Sequence, residues 1–547
     1  MKINTPRSIA LSERRWVFWM AVIGMLITTL PYFLGFSLQG DAWRFTGFVF
    51  GVNDGNSYIA KMRAGAEGDW LFRTPYSSLE QQGILAYFPL IVLGKLTSPP
   101  AQHEQLVVLY HLFRFVGGIL AIWATYDFIS YFIFRINLRR LGTLLACFGG
   151  GLGWLLVLLG QGHWLGSLPL DFFSPETFGF LSIYGLPHLA VARALLLWGL
   201  LAYLQGDIEY PISNLCVGSG ATAGLIWLVM GFFQPLTIAI AWAAMGAHLA
   251  AYGLYLAGKR VWIAPADFQP WLNYFRRAVV AGAISAPFVL YSFLALRGDP
   301  FLQSWTAQNT ILSPPPLYYL LAYGLVLPLS ITGAVSLIRK SPPSGWFLVG
   351  WVILLPALAY APFNLQRRLP EGIWVALVVL AMAGLDRVEK PARGWYVPLA
   401  LTFPTTLLLL FGGITGAMGG QTPIYRPTPE IDAFLFLDGK VQTGDLVLSA
   451  FETGNALPAW APVRVVIGHG PEGVGLAALL HRVEAFFQSV TEDTERQALL
   501  DELGVHYVFW GPSERALGGW DPHSAVYLKE IYSKNGYSIF INLLTHR

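Results

Sequence analysis

Two stretches near the N-terminus decide how this chain is read. The first is WVFWMAVIGMLITTLPYFLGF, residues 16–36. The second, after a short break, is Asn53-Asp54-Gly55-Asn56-Ser57-Tyr58. The first carries no charged residue and, as a helix, is long enough to cross ~30 Å of hydrocarbon. It is too long for the apolar region of a signal peptide, and no small-residue cleavage site stands before Asp41. It therefore reads as a retained membrane span. The second stretch is polar and holds a carboxylate, Asp54, in the first loop beyond that span.

The rest of the chain repeats the first pattern. Of 547 residues, 55% are hydrophobic and only 12% are charged. Soluble domains carry roughly twice that charge fraction. The apolar residues come in blocks at 106–134, 141–159, 188–204, 215–230, 236–256, 278–296, 317–338, 346–360, 373–385 and 397–414. Together with residues 16–36 they predict a polytopic α-helical membrane protein of about eleven spans. Basic residues mark alternate ends of these blocks. They are Lys2, Arg7, Arg14 and Arg15, then Arg135, Arg139 and Arg140, then Lys259, Arg260, Arg276 and Arg277, then Arg339 and Lys340, then Arg387, Lys390 and Arg393. The positive-inside rule then puts the N-terminus in the cytoplasm and loops 37–100, 161–187 and 297–316 outside. The turn at Asp207–Tyr210 has no Lys or Arg and is the exception. An odd number of spans leaves the C-terminal segment outside. Within the first outer loop, Gly83–Leu96 is apolar but short for a span, and reads as a re-entrant or interfacial helix.

Several function classes drop out. The net charge is +3 and the basic residues follow topology, so nucleic-acid binding has no support. Cys147 and Cys216 lie in apolar segments and form neither a disulfide framework nor a metal site. There is no Walker A sequence and no dinucleotide fingerprint, so a nucleotide-sugar donor or ATP-driven pumping lacks a motif.

From about Gly419 charges become frequent and apolar runs shorten. Asp445–Ser449, Val463–Ile467, His506–Trp510 and Tyr537–Ile541 read as short strands, and 472–488 and 492–503 have helical spacing. The chain thus divides into a membrane domain, 1–418, and a small α/β domain, 419–547, outside the membrane.

The candidate residues follow from position. If the chain is helical from Gly55 onward, Asp54, Tyr58 and Lys61 fall at i, i+4 and i+7 on one face. A carboxylate there can deprotonate an acceptor hydroxyl or hold a divalent metal ion, Mg or Mn. Equally, Asp54 or Asn53 can cap the helix. Arg367 and Arg368 sit in an outer turn, against the topological bias, where guanidinium groups suit a phosphate at headgroup depth. Bulk headgroups or Glu371 are the plainer partners. His188, His111 and Arg114 lie near outer helix ends and can face a sugar or the membrane interface. Glu80, Gln81 and Gln82, and Trp305 with Gln308 and Asn309, have the chemistry of a sugar pocket. His469 lies in Gly468-His469-Gly470-Pro471-Glu472, between a strand and a helix, where it can serve an anion, an acceptor or the fold.

This layout resembles the GT-C glycosyltransferases, integral membrane enzymes that take sugars from polyprenyl-phosphate donors. In that superfamily an acidic residue stands in the first outer loop, commonly with a Tyr a few residues on; Asp54 and Tyr58 match it. The tail, with Phe451–Asn455, Gly468–Glu472 and Tyr507–Arg515, is similar to the outer domain that ends many prokaryotic GT-C-like proteins. The resemblance implies an inverting transfer of a sugar from a polyprenyl-phosphate carrier to a glycan, lipid or protein acceptor, at the outer face of the plasma (inner) membrane. Asp54 would be the base or the metal ligand. Tyr58, Lys61, His188, Arg367, Arg368 and His469 would bind the substrates. The alternative is a non-catalytic relative: a scaffold, an assembly subunit or a transporter of lipid-linked sugars. A transporter would carry polar residues at mid-membrane and related halves, and the sequence has no detectable repeat.

Overall fold

The structure, a computed structural model, describes residues 9–100, 102–205, 213–259, 265–387 and 393–545, with backbone alone at 213–217, 265–267 and 393. Lys2, Arg7, the Asp207–Tyr210 turn, Arg260 and Lys390, and the side chains of Cys216 and Arg393, lie outside the described residues.

The protein is a multi-pass helical membrane protein. Among the described residues, eight helices are long and apolar enough to span a membrane. They are α1 (Leu11–Leu38), α4 (Gln102–Phe132) and helices Pro187–Gln205, Leu236–Gly258, Phe268–Gly298, Pro342–Ala359, Gln366–Arg387 and Tyr396–Gly419. A ninth forms if Leu317–Tyr323 and Leu327–Lys340, bent by 73°, count as one span. Pro328 causes that break: it lacks an N–H and clashes with the carbonyl four residues back. One of the expected apolar blocks differs in form. Residues 141–159 are divided between helices Ile136–Phe148 and Gly153–Leu158, on either side of Gly149–Gly151. Residues 215–230 lie within the helix Ser213–Gly231.

The chain folds into two compact units. The first comprises residues 1–29, 113–293 and 310–412, and the second 30–112, 294–309 and 413–547. The first unit is a helical body around Trp227, Trp351 and Trp374, all buried. Among its buried charges are two close ion pairs. Arg139 Nη1 lies 2.9 Å from Glu13, and Arg193 Nε donates to Glu371 at 2.5 Å.

The second unit is α/β. Strand β1 (Trp43–Phe45) pairs antiparallel with β2 (Tyr425–Pro427), Arg44 opposite Arg426. A five-stranded sheet runs in the order β4 (Arg464–Val465), β3 (Leu446–Leu448), β5 (Tyr507–Trp510), β7 (Tyr537–Asn542), β6 (Leu528–Lys534). Strand β3 is parallel to β4 and β5, and β7 is antiparallel to β5 and β6. Helices Thr428–Asp438, Phe451–Trp460, Leu476–Phe487 and Asp493–Leu503 accompany the sheet. Four of the five strands lie where their β-branched and aromatic runs predict; β6, Leu-Lys-Glu-Ile-Tyr-Ser-Lys, is masked by its charges because its outer residues are solvated.

Two helices of the 38–112 segment complete this unit. Helix α2 (Val52–Ala66) starts from Gly51, whose left-handed φ of 57° suits a residue without Cβ. The apolar run 83–96 forms only the seven-residue α3 (Phe88–Gly94), whose Leu90, Ile91 and Gly94 are buried. Helices α2 and α3 pack backbone to backbone. A Cβ on Gly65 would stand 1.9 Å from the Ile91 carbonyl oxygen, and one on Gly94 would stand 1.7 Å from that of Met62.

Candidate active site

Helix α2 fixes the first group. Its cap is Gly51, with no side-chain hydrogen bond, so neither Asn53 nor Asp54 is the helix cap. Both belong to the first turn, where the helix dipole favours a carboxylate. Asp54 is about half exposed, and its Oδ1 lies 3.1 Å from His469 Nε2. His469 is buried. It leaves the end of the sheet in the loop between β4 and helix Leu476–Phe487.

Behind His469 is Glu472. His469 Nδ1 is buried 3.4 Å from Glu472 Oε1, a contact of charge rather than a well-aligned hydrogen bond. Glu472 is itself the hub of a closed network. Its Oε1 accepts from Lys61 Nζ at 2.5 Å and from Ser57 Oγ at 2.6 Å, and its Oε2 accepts from Thr74 Oγ1 at 2.7 Å. Lys61 also donates to Ser57 Oγ and lies 4.3 Å from the Tyr87 ring centroid. Every member behind Asp54 is buried. Asp54 and Lys61 share one face of α2, as their spacing predicts, and Ser57, which the sequence reading did not single out, lies on it with them.

The electrostatics follow from burial and pairing. Burial alone would raise the Glu472 carboxyl, but the charges of Lys61 and His469 hold it far below the ordinary carboxylate range. Burial likewise opposes charging His469, yet the hydrogen bond to Asp54 and the Glu472 carboxylate outweigh it and raise the imidazole above its ordinary value. Tyr76, buried beside the His469 ring, is pushed well up by burial and by the Glu472 and Asp54 charges; its hydroxyl donates to the Asn455 carbonyl at 3.0 Å. The result is a carboxylate–imidazole–carboxylate series. The outer carboxylate meets solvent and the inner one is anchored by an ammonium group and two hydroxyls. Such a series can accept a proton at Asp54 and spread the charge into the protein.

The fit to a divalent metal is poor. Among the described residues no group of three His, Cys, Asp or Glu side chains converges as a ligand set. Among the described residues Asp54 has His469 alone as a ligand-type neighbour within contact. Behind His469 the second carboxylate already serves the Lys61 ammonium, which would repel a cation.

Other candidates have structural partners. Trp305 Nε1 and Asn309 Nδ2 donate to the Pro471 carbonyl at 2.5 and 2.8 Å, and Gln308 Nε2 donates to that of Gly473 at 2.6 Å. These three clasp the loop that carries His469. Gln81 makes two hydrogen bonds to the Thr74 backbone, and the Gln82 amide donates to Asp299. His111 lies 2.8 Å from the Gly47 carbonyl, and Arg114 ties α4 to α1 through Thr28 and Thr29. Tyr58 stacks on Tyr110, with centroids 5.8 Å apart.

His188, Arg367 and Arg368 belong to the first unit. His188 stands half-buried in the first turn of helix Pro187–Gln205. Arg367 and Arg368 lie in the 3₁₀ turn Gln366–Arg368. Glu371 is spent on Arg193, so it is not their partner; Arg368 Nε lies 3.4 Å from Glu176 instead. The Arg367 guanidinium lies 4.3 Å from the Phe173 ring centroid, and its Nε is buried without a hydrogen-bond partner.

Sequence reasoning missed Glu472, Ser57 and Thr74. One signal was available. Lys61 stands between the apolar residues Ile59, Ala60 and Met62, and a buried lysine demands an acid.

No known protein family matches the sequence, and no curated protein is similar to it at a significant level. Solved structures do match. The oligosaccharyltransferase of Archaeoglobus fulgidus in the apo form superposes with a TM-score of 0.51 at 14% identity, over 98% of this chain and 75% of that one. The fold is GT-C. ArnT from Cupriavidus metallidurans in the apo state is similar at a TM-score of 0.48 and 14% identity, over 95% of this chain and 97% of that one.

Proposed function

We propose that this protein is an inverting glycosyltransferase that moves a sugar from a polyprenyl-phosphate donor to an acceptor hydroxyl. The observation that carries the reading is the Asp54–His469–Glu472 series, built on a GT-C fold from residues of α2 and the β4-to-helix loop. The acceptor oxygen attacks the anomeric carbon as the bond to the carrier phosphate breaks. The acceptor proton passes to Asp54, and the electron pair leaves with the lipid phosphate. Tyr58, on the same helix face as Asp54, orients the acceptor. Lys61 acts through Glu472, as a positioning residue and not a substrate contact. In the first unit, taken by itself, Arg367, whose buried Nε has an unspent donor, and Arg368 suit a carrier phosphate, and His188 suits a sugar hydroxyl. The acceptor is a glycan, a lipid or a protein. The basic clusters at Arg139–Arg140, Arg276–Arg277 and Arg339–Lys340 support a cytoplasmic N-terminus in the plasma membrane, with Asp54 and the C-terminal segment outside.

The test uses purified protein in lipid nanodiscs, a panel of polyprenyl-phosphate hexoses and a mixed glycan acceptor. Release of polyprenyl phosphate that requires both acceptor and Asp54 supports the reading. Release by Asp54→Asn at the wild-type rate, or none with any donor, overturns it.

A further inference from the structure

A second face of α2 opens on a cavity. Asp54, Ser57 and Lys61 point toward Glu472 and His469. Ala60, Arg63, Ala64 and Glu67, rotated by ~100° per residue, line a separate space of about 550 Å³ in the same unit. That volume falls within the ~300–1,000 Å³ typical of small-molecule sites.

The lining defines the ligand. Arg63, Arg73 and Arg464 face Glu67, Asp69 and Glu80, so the formal charges cancel, and no aromatic side chain lines the space. A polyphosphate gains no net attraction there, and an apolar ligand would strip six charged groups of water. Forked guanidinium and carboxylate groups suit a dense, neutral array of hydroxyls, which both donate and accept. The groups are also held in place. Arg63 is buried, bonded to the Ala459 carbonyl at 3.3 Å, Gln102 at 3.1 Å and Asp438 at 3.0 Å. Arg464 Nε donates to the Gly444 carbonyl at 3.1 Å. Burial makes the Arg464 guanidinium less basic, against the pull of Glu80.

The cavity adjoins the candidate active site through one residue. Thr74 lines the cavity, and its hydroxyl donates to Glu472 Oε2 at 2.7 Å. We propose that this cavity is a subsite for a neutral oligosaccharide, the non-reacting part of a glycan acceptor. Its role in the reaction rests on the transferase reading; its affinity for a saccharide does not.

The experiment titrates full-length protein in nanodiscs by calorimetry with maltotriose, mannotriose, chitotriose and inorganic pyrophosphate. The expected result is saturable binding of at least one trisaccharide. Arg73→Ala and Glu80→Gln should each weaken it about tenfold, the loss of a hydrogen bond to a charged group. Both side chains are at the surface, and unchanged melting curves would show the fold intact. Asp54→Asn should bind the saccharide as the wild type does. No trisaccharide binding, binding insensitive to both variants, or pyrophosphate bound more tightly than every saccharide would overturn the subsite. Saccharide binding without any sugar transfer would sink the transferase reading and leave the subsite standing.

Discussion

Glu472→Gln removes one charge and changes almost no volume, so it isolates what the buried network contributes. In the wild type, Lys61 Nζ and Glu472 Oε1 are 2.5 Å apart, with side-chain exposures of 0% and 3%. The amide of Gln can still accept from Ser57 or Thr74, but the ammonium loses its counter-charge in a site closed to water. Breaking a buried pair by removing one partner costs ~3–5 kcal/mol. For a unit of this size that corresponds to a fall in melting temperature of roughly 6–20 °C. The assay is thermal unfolding in nanodiscs, followed by near-ultraviolet circular dichroism, because Tyr76 and Tyr87 flank the network. Lys61→Met in the same background removes the stranded charge, and replacing both partners of a buried pair is often near neutral. The double variant should therefore melt well above Glu472→Gln alone. A wild-type melting temperature in Glu472→Gln, or a double variant worse than either single one, would refute the claim that the pair is closed and mutually dependent.

Three further outcomes are expected. Asp54→Asn should lower transfer on the order of a hundredfold while the protein stays folded, losing only the small stability of the His469 contact, since Gly51 rather than Asp54 caps α2; failure to fold would return Asp54 to a structural role. Arg367→Ala and Arg368→Ala should each raise the donor KM about tenfold or more with acceptor KM unchanged, and Lys should rescue only in part; unchanged donor kinetics in both would move the phosphate elsewhere. His469 is raised above its ordinary 6.5, so the stability it contributes is complete below that value and fades as pH rises through the raised one. Melting curves from pH ~6 to ~9 should fall more steeply in the wild type than in His469→Gln, and parallel curves would show that the imidazole stays neutral in the fold.

The spans and most strands were legible because long apolar blocks and short β-branched runs are decided locally. The break at Pro328 and the split of residues 141–159 at Gly149–Gly151 were not, since each depends on where one residue falls within an otherwise continuous apolar run. At the site, the helical spacing of Asp54, Tyr58 and Lys61 was legible, and His469 was found as a residue in a strand-to-helix loop. Its meeting with Asp54 was not, because nothing local records a contact across 415 positions. The partners of Trp305, Gln308 and Asn309 were illegible for the same reason: they are the carbonyls of a loop that lies far along the sequence.

That separation sets a timetable. Asn56 Nδ2 donates to Asn455 Oδ1 across 399 positions, and β1 has no strand to pair with until Tyr425–Pro427 has been made. At ~5–20 residues per second, synthesis keeps α2 waiting for roughly 20–80 s after it leaves the ribosome. Throughout that interval Lys61 has no Glu472, and Ser57 and Thr74 lack the carboxylate they donate to. The segment that carries Asp54 thus spends that interval without the partners that close its network. A ribosome stalled before codon 472 would release a chain whose spans can insert but whose site has never existed.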